Sequence, residues 1–351
     1  MWRAFYRLFL GVLMFVDADG SVQAAYSAPL PVERTSPTFS GAVEWLNSPP
    51  LTLAGLRGKV VVVDFWTYTC INSLRNLPHL RAWAEKYREK GLVVIGVHSP
   101  EFSFESDLDN VRRETERIGI PFPVAVDSNH AIWEAFDNEA WPADYFIDAK
   151  GRVRYHHYGE GGIEQSEAVI RQLLAENDKG ELPGGTVQPK GSGVEAAADF
   201  AQLASPETYL GYERTADFAS PGGIVRDRSH AYVAPGHLRL NQWALDGSWT
   251  AGGESVALDQ APGRVIFRFH ARDVNLILSA GEGRGPIRFR VRIDGRAPGA
   301  DRGVDVGRDG AGTLTDARMY QLIRQHGPIA DHTFDIEFFD PQARAFDFTF
   351  G

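Results

Sequence analysis

The chain has 351 residues, 43% of them hydrophobic and 23% charged, and carries a formal net charge of −10. That is enough chain for two ordinary globular domains. The acidic balance argues against nucleic acid or an anionic membrane as a partner, because both attract basic surfaces.

The first segment reads as an export signal over residues 1–24. Arg3 and Arg7 form a basic start, and an apolar run at 8–16 follows. Val22-Gln23-Ala24 then offers small residues ahead of Ala25. The run is too short to span a bilayer comfortably, which favours a cleaved signal. Asp17 and Asp19 disfavour cleavage, so an uncleaved tether is the alternative. No later stretch is apolar enough to cross a membrane, and the expected location is periplasmic or otherwise extracytoplasmic.

Residues 37–178 alternate strands and helices. A Val-rich run at 59–65 has the composition of a strand buried on both faces. Residues 71–90 have helical spacing, with Leu74, Leu77, Leu80, Trp83 and Tyr87 on one side. A strand at 92–98, a helix at 104–118, a short strand at 123–126 and a short helix at 129–136 come next. Strands at 143–148 and 152–158 meet at a Lys150-Gly151 turn, and a helix at 163–176 closes the domain. The pattern predicts an α/β layer fold with a mixed sheet.

Residues 179–204 lack a hydrophobic period and form a linker. From 205 to 351 the chain alternates apolar and polar residues, at 287–293, 334–338 and 346–350, with further strands at 265–270 and 274–278. Asp246-Gly247, Asp294-Gly295 and Asp309-Gly310 supply turns. An all-β sandwich is expected. Trp243, Trp249, Tyr232 and Tyr320 read as core aromatics or as a sugar-stacking platform, and core packing is favoured. Arg288, Arg290 and Arg292 are expected to face solvent or meet an acidic partner.

The chain has one cysteine, Cys70. It follows the buried strand and opens the 71–90 helix. The helix dipole and unpaired backbone N–H groups there favour thiolate and predict a lowered pKa. Ser73, one turn on, offers a hydroxyl to that sulfur. Serine cannot attack a mixed disulfide, so any covalent adduct at Cys70 needs an outside thiol. The adjacent His156 and His157 point to opposite faces of a strand and cannot easily share a metal. His79 and His98 read as packed histidines, and no cofactor or metal motif is present.

These features together resemble the thioredoxin superfamily. Asp64 lies six residues before Cys70, Pro78 eight residues after it, and Trp141-Pro142 precedes the strand Tyr145-Phe146-Ile147. The stretches at 65–72 and 141–148, and the β-rich half from Ser205, are similar to the DipZ-type, TlpA-like branch. The resemblance implies a thioredoxin-like α/β domain followed by a β-sandwich of jelly-roll or galactose-binding type. It implies catalysis by Cys70, with Asp64 moving a proton and Ser73 standing where the branch has its second cysteine. Trp66, Trp141 and a cis Pro142 would shape a substrate groove. Protein disulfides or mixed disulfides are the expected substrates, an external thiol the reductant, and a glycan a further partner of the sandwich. The branch's membrane-spanning electron-transfer domain is not in this sequence.

Two other readings compete. A non-catalytic module would use the groove to hold peptides and the sandwich to hold glycans. A one-cysteine peroxidase would pair Thr67 with Cys70 and use Arg75 as its cation; its sulfenic acid product would also need an external thiol.

Overall fold

A computed structural model describes residues 29–35, 37–178, 180–281 and 285–351, together with the backbone of a hairpin pairing Leu13–Val16 with Val22–Ala25. Arg3 and Arg7 of the expected signal lie outside the described residues. No helix among the described residues is long and apolar enough to cross a membrane.

The chain folds as two compact units. The first comprises residues 1–67, 76–100 and 111–189, and the second 68–75, 101–110 and 190–351. The short segment that carries Cys70 therefore clusters with the C-terminal half.

The first unit is built on a seven-stranded sheet. Its strands are β1 (Arg34–Thr35), β2 (Glu44–Leu46), β3 (Val60–Trp66), β4 (Leu92–His98), β5 (Val124–Val126), β6 (Ala143–Ile147) and β7 (Arg152–Tyr158). The order is β1-β7-β6-β3-β4-β5-β2. β3 pairs parallel with β4 and antiparallel with β6, so the sheet is mixed. All seven residues of β3 are buried, as a strand covered on both faces requires. Val61, Val63 and Phe65 pack one face against Phe39, Ile132 and Phe136. Asp64 therefore points to the other face, with Val62 and Trp66.

The helices are α1 (Ile71–Tyr87), α2 (Leu108–Ile118), α3 (Ala131–Phe136) and α4 (Ile163–Glu176). α1 ends three residues sooner than its spacing predicts. The chain tightens to a 3-10 turn at Arg88–Lys90 and stops at Gly91, whose φ of 90° suits glycine. The predicted 104–118 helix is divided at Asp107. Its carboxylate caps the backbone N–H groups of Asp109 and Asn110 at 2.9 and 3.0 Å, which starts α2 afresh after a 3-10 turn at Ser103–Ser106.

The second unit holds the all-β sandwich. Its strands are β8 (Thr208–Tyr209), β9 (Ser229–Tyr232), β10 (Trp243–Ala251), β11 (Val256–Phe269), β12 (Asp273–Ala280), β13 (Ile287–Ile293), β14 (Ala311–Leu314), β15 (Arg318–Arg324), β16 (His332–Phe338) and β17 (Ala343–Phe350). The main path runs β14-β13-β16-β11-β17-β12-β15. The long strand β11 pairs with β10, β16 and β17, which ties the two layers together. Leu276, Tyr320, Phe348, Phe267 and Ile336 are among the residues that fill the interior.

Trp243, Trp249, Tyr232 and Tyr320 are all buried in or against that interior. They are core, and none offers a ring to a sugar. Two members of the arginine row find acidic partners within the sandwich, and Arg290 lies over the Phe339 ring. Arg288 grips Asp340 with two bonds of 3.0 Å, and Arg292 reaches Asp335 at 3.1 Å and Glu337 at 2.7 Å.

Candidate active site

Cys70 caps α1. Its carbonyl accepts the Leu74 N–H at 3.1 Å, the first bond of the helix. The preceding turn is held by Glu105, a fully buried carboxylate. Glu105 accepts the Thr69 hydroxyl at 2.6 Å and the N–H groups of Glu101 and Phe102 at 2.6 and 2.9 Å. Arg75, the cation of the peroxidase reading, directs its guanidinium to the Phe350 carbonyl at 3.2 Å.

The thiol itself is buried, with 7% of the residue exposed. The expected low pKa is corrected here: burial pushes the thiol up to about 12. The Ser73 hydroxyl and backbone N–H pull the other way, as a donor to thiolate should. The negative charges of Glu101 and Glu207 add to the rise. Helix-end electrostatics are outweighed because an ion in a dry site loses its hydration. The resting group is a neutral thiol.

In the first unit, Asp64 is fully buried and lies directly opposite Asp144 across the β3–β6 pair. Burial, then the neighbouring Asp144 carboxylate, raises Asp64 well above the usual carboxylate range. Burial raises Asp144 as well. Asn76 donates to Asp144 at 3.1 Å. Both shifts favour the protonated form of the pair.

Trp66, expected at a groove, is fully buried beside His98, with ring centroids 5.2 Å apart. It belongs to the core, because its strand is covered on both faces. The Trp141–Pro142 peptide is cis. Pro142 is buried, while Trp141 stays half-buried, donates to the Ser99 carbonyl at 3.1 Å and lies 4.3 Å from Trp133. Thr67 bonds His98 at 3.3 Å, and burial lowers His98 to about 3, so this imidazole is neutral. His156 pairs with Glu33 at 2.7 Å. Among the described residues no cluster of His, Cys, Asp or Glu could hold a metal ion.

Sequence reasoning missed Asp144, Glu105, Glu207 and Asp347. Asp347 alternates with phenylalanines, the pattern of a solvent-facing position, yet it is fully buried. Asp144 sits in an apolar strand two residues past Pro142, and an uncompensated carboxyl there was its available signal.

Residues 32–156 match the AhpC/TSA family, and residues 205–351 match the thioredoxin like C-terminal domain. The chain is 38% identical over 248 residues to the protein DipZ of Mycobacterium tuberculosis, a match covering 70% of this chain and 35% of DipZ. It therefore spans about a third of that relative's length. It is 28% identical over 147 residues to the thiol-disulfide oxidoreductase YkuV of Bacillus subtilis, covering 42% of this chain and 99% of YkuV. A solved thioredoxin-like protein in its oxidized form overlaps 41% of this chain and 97% of its own at 30% identity, with a TM-score of 0.38. The chain thus carries a thioredoxin-like AhpC/TSA domain on a mixed sheet, followed by the thioredoxin like C-terminal domain matched at 205–351.

Proposed function

We propose that the chain is a thiol–disulfide oxidoreductase of monothiol type, acting on protein disulfides or mixed disulfides. The observation that carries this reading is the chain's single cysteine, set at the cap of α1 one turn before Ser73, whose hydroxyl and N–H draw its pKa down. Cys70 loses its proton and attacks one sulfur of the substrate disulfide. A Cys70–substrate disulfide forms, the substrate S–S bond breaks, and the second substrate sulfur leaves as thiolate. Ser73 stabilises the attacking sulfur but has no sulfur of its own with which to continue. An external small-molecule or protein thiolate then attacks the mixed disulfide. It takes the substrate sulfur into a new disulfide, and Cys70 leaves as thiolate and is reprotonated. Asp64, holding its proton with Asp144, is the proposed proton carrier, and Trp141 and Pro142 line the proposed substrate groove. Export through the 1–24 segment is part of the same reading, since disulfide substrates are found outside the cytoplasm.

Purified protein incubated with a disulfide-bridged peptide and no other thiol is expected to gain the mass of one peptide thiol at Cys70. The adduct should persist until a reducing thiol is added. Absence of any adduct, after long incubation at alkaline pH, would remove the reading. One observation favours a second: the sealed, high-pKa thiol fits a non-catalytic binding module, and failure to form the adduct would select it.

A further inference from the structure

The outward face of β15, β12, β17 and β8 is polar, and it is buried. Cα register places Asn275 opposite both Gln321 and Thr349, and Ile277 opposite both Met319 and Asp347. Tyr209 lies opposite Asp347 on the next strand. The intervening Leu276, Tyr320 and Phe348 point into the sandwich core. Gln321, Asn275 and Asp347 are therefore on the face an isolated sandwich would give to water, yet each is at most 1% exposed.

The Cys70 segment and 101–110 belong to this same compact unit; Arg75 and residues 101–104 contact its β17 and β8. Between Asp347 and Ala345 the register slips by one, and this bulge re-aims Phe346. Phe346 packs edge-on to Phe102 and Phe104, with centroids 5.3 and 4.9 Å away. The Tyr209 hydroxyl donates to Glu101 at 2.7 Å, Arg214 reaches Glu101 at 2.9 Å, and Ser103 donates to Glu254 at 2.8 Å. Arg75 closes the set on the Phe350 carbonyl.

Against these attractions stands an unfavourable one. The amide nitrogen and oxygen of Asn275, and those of Gln321, are buried without a partner. Asp347 meets the carboxyl of Glu207. Buried polar groups without partners are costly, and hydration would relieve them. The face thus carries an aromatic clasp and a few polar bonds beside a pair of buried amides without protein partners.

We propose that this sheet face is a removable cover over the Cys70 segment, closed by the Phe346 clasp and biased toward opening by the unpartnered Asn275 and Gln321 amides. Opening hydrates the amides and admits a substrate disulfide to the sulfur. The consequence for turnover rests on the oxidoreductase reading, whereas access to Cys70 can be measured without it.

The test is the rate of Cys70 alkylation by iodoacetamide in the full chain, at one fixed pH. Removing the clasp in Phe346→Ala is expected to speed alkylation about tenfold, and the apolar double variant Asn275→Leu with Gln321→Met to slow it at least about threefold, by shifting the open–closed equilibrium. Both rates within about twofold of the unmodified protein, in folded samples, overturn the proposal. Should Phe346→Ala fail to fold, the double variant decides alone, because unfolding cannot slow alkylation. A cover that behaves as stated while no mixed disulfide ever forms would refute the oxidoreductase reading and leave the cover standing.

Discussion

The sulfur of Cys70 is subject to opposed forces. The cap position and the two Ser73 donors favour thiolate, while burial and two glutamates favour thiol, and burial wins. A thiol with a pKa near 12 has little thiolate at neutral pH, so alkylation should climb about tenfold per pH unit well past pH 9. A plateau near the free-cysteine value, about 8.5, would contradict the buried thiol. Ser73→Ala removes a stabilising donor. It should raise the Cys70 pKa further and slow alkylation at fixed pH by about three- to tenfold, one pKa unit being about 1.4 kcal/mol. An unchanged rate would mean that the hydroxyl does not serve the sulfur.

The β3–β6 pair carries the next consequence. Asp64 and Asp144 keep a proton that the unfolded chain gives up above about pH 4. Folded pKa values raised in this way mean that stability is fully present at acid pH and is lost as pH rises through the folded values. Asp144→Asn removes the part of that loss due to Asp144 itself and to its charge beside Asp64, and leaves the part due to the burial of Asp64. Relative to the natural protein, its unfolding free energy should improve by about 1–3 kcal/mol between pH 4 and pH 8, read by denaturant melts. A pH-independent difference would show that the carboxyls do not share a proton. The strand pair also shows what sequence can and cannot disclose. β3, β4, β7 and β13 were legible because a buried parallel run and strict alternation leave plain patterns. β15 was missed because Arg318-Met319-Tyr320-Gln321-Leu322-Ile323-Arg324 is buried on both faces and does not alternate. β10 was missed because a bulge near Gly247 breaks its period.

For the molecule as a whole, the sequence disclosed the two-part plan and the candidate sulfur. Cys70 and Ser73 could be picked out by position along the chain, and Asp64 and Trp141-Pro142 by the resemblance to thioredoxins. The state of the thiol could not. It depends on residues more than 30 and more than 130 positions away, Glu101 and Glu207, and on burial that no local pattern reports. The same holds for Trp66, which local position assigns to a groove and packing assigns to the core. A net charge of −10 ordinarily belongs to a solvated surface. Yet Asp64, Asp144 and Asp347 are buried, and burial raises the pKa of each.

The central claim is that Cys70 can capture a disulfide but cannot release it alone. The most direct measurement compares the natural protein with Ser73→Cys in reduction of a disulfide-bridged peptide, with and without an added monothiol, while intact mass follows the adduct. The predicted result is a natural protein that accumulates one mixed disulfide and turns over only when monothiol is present, and a variant that releases peptide unaided until its own dithiol is spent. Equal unaided release by both proteins, with no adduct on the natural one, would contradict the claim.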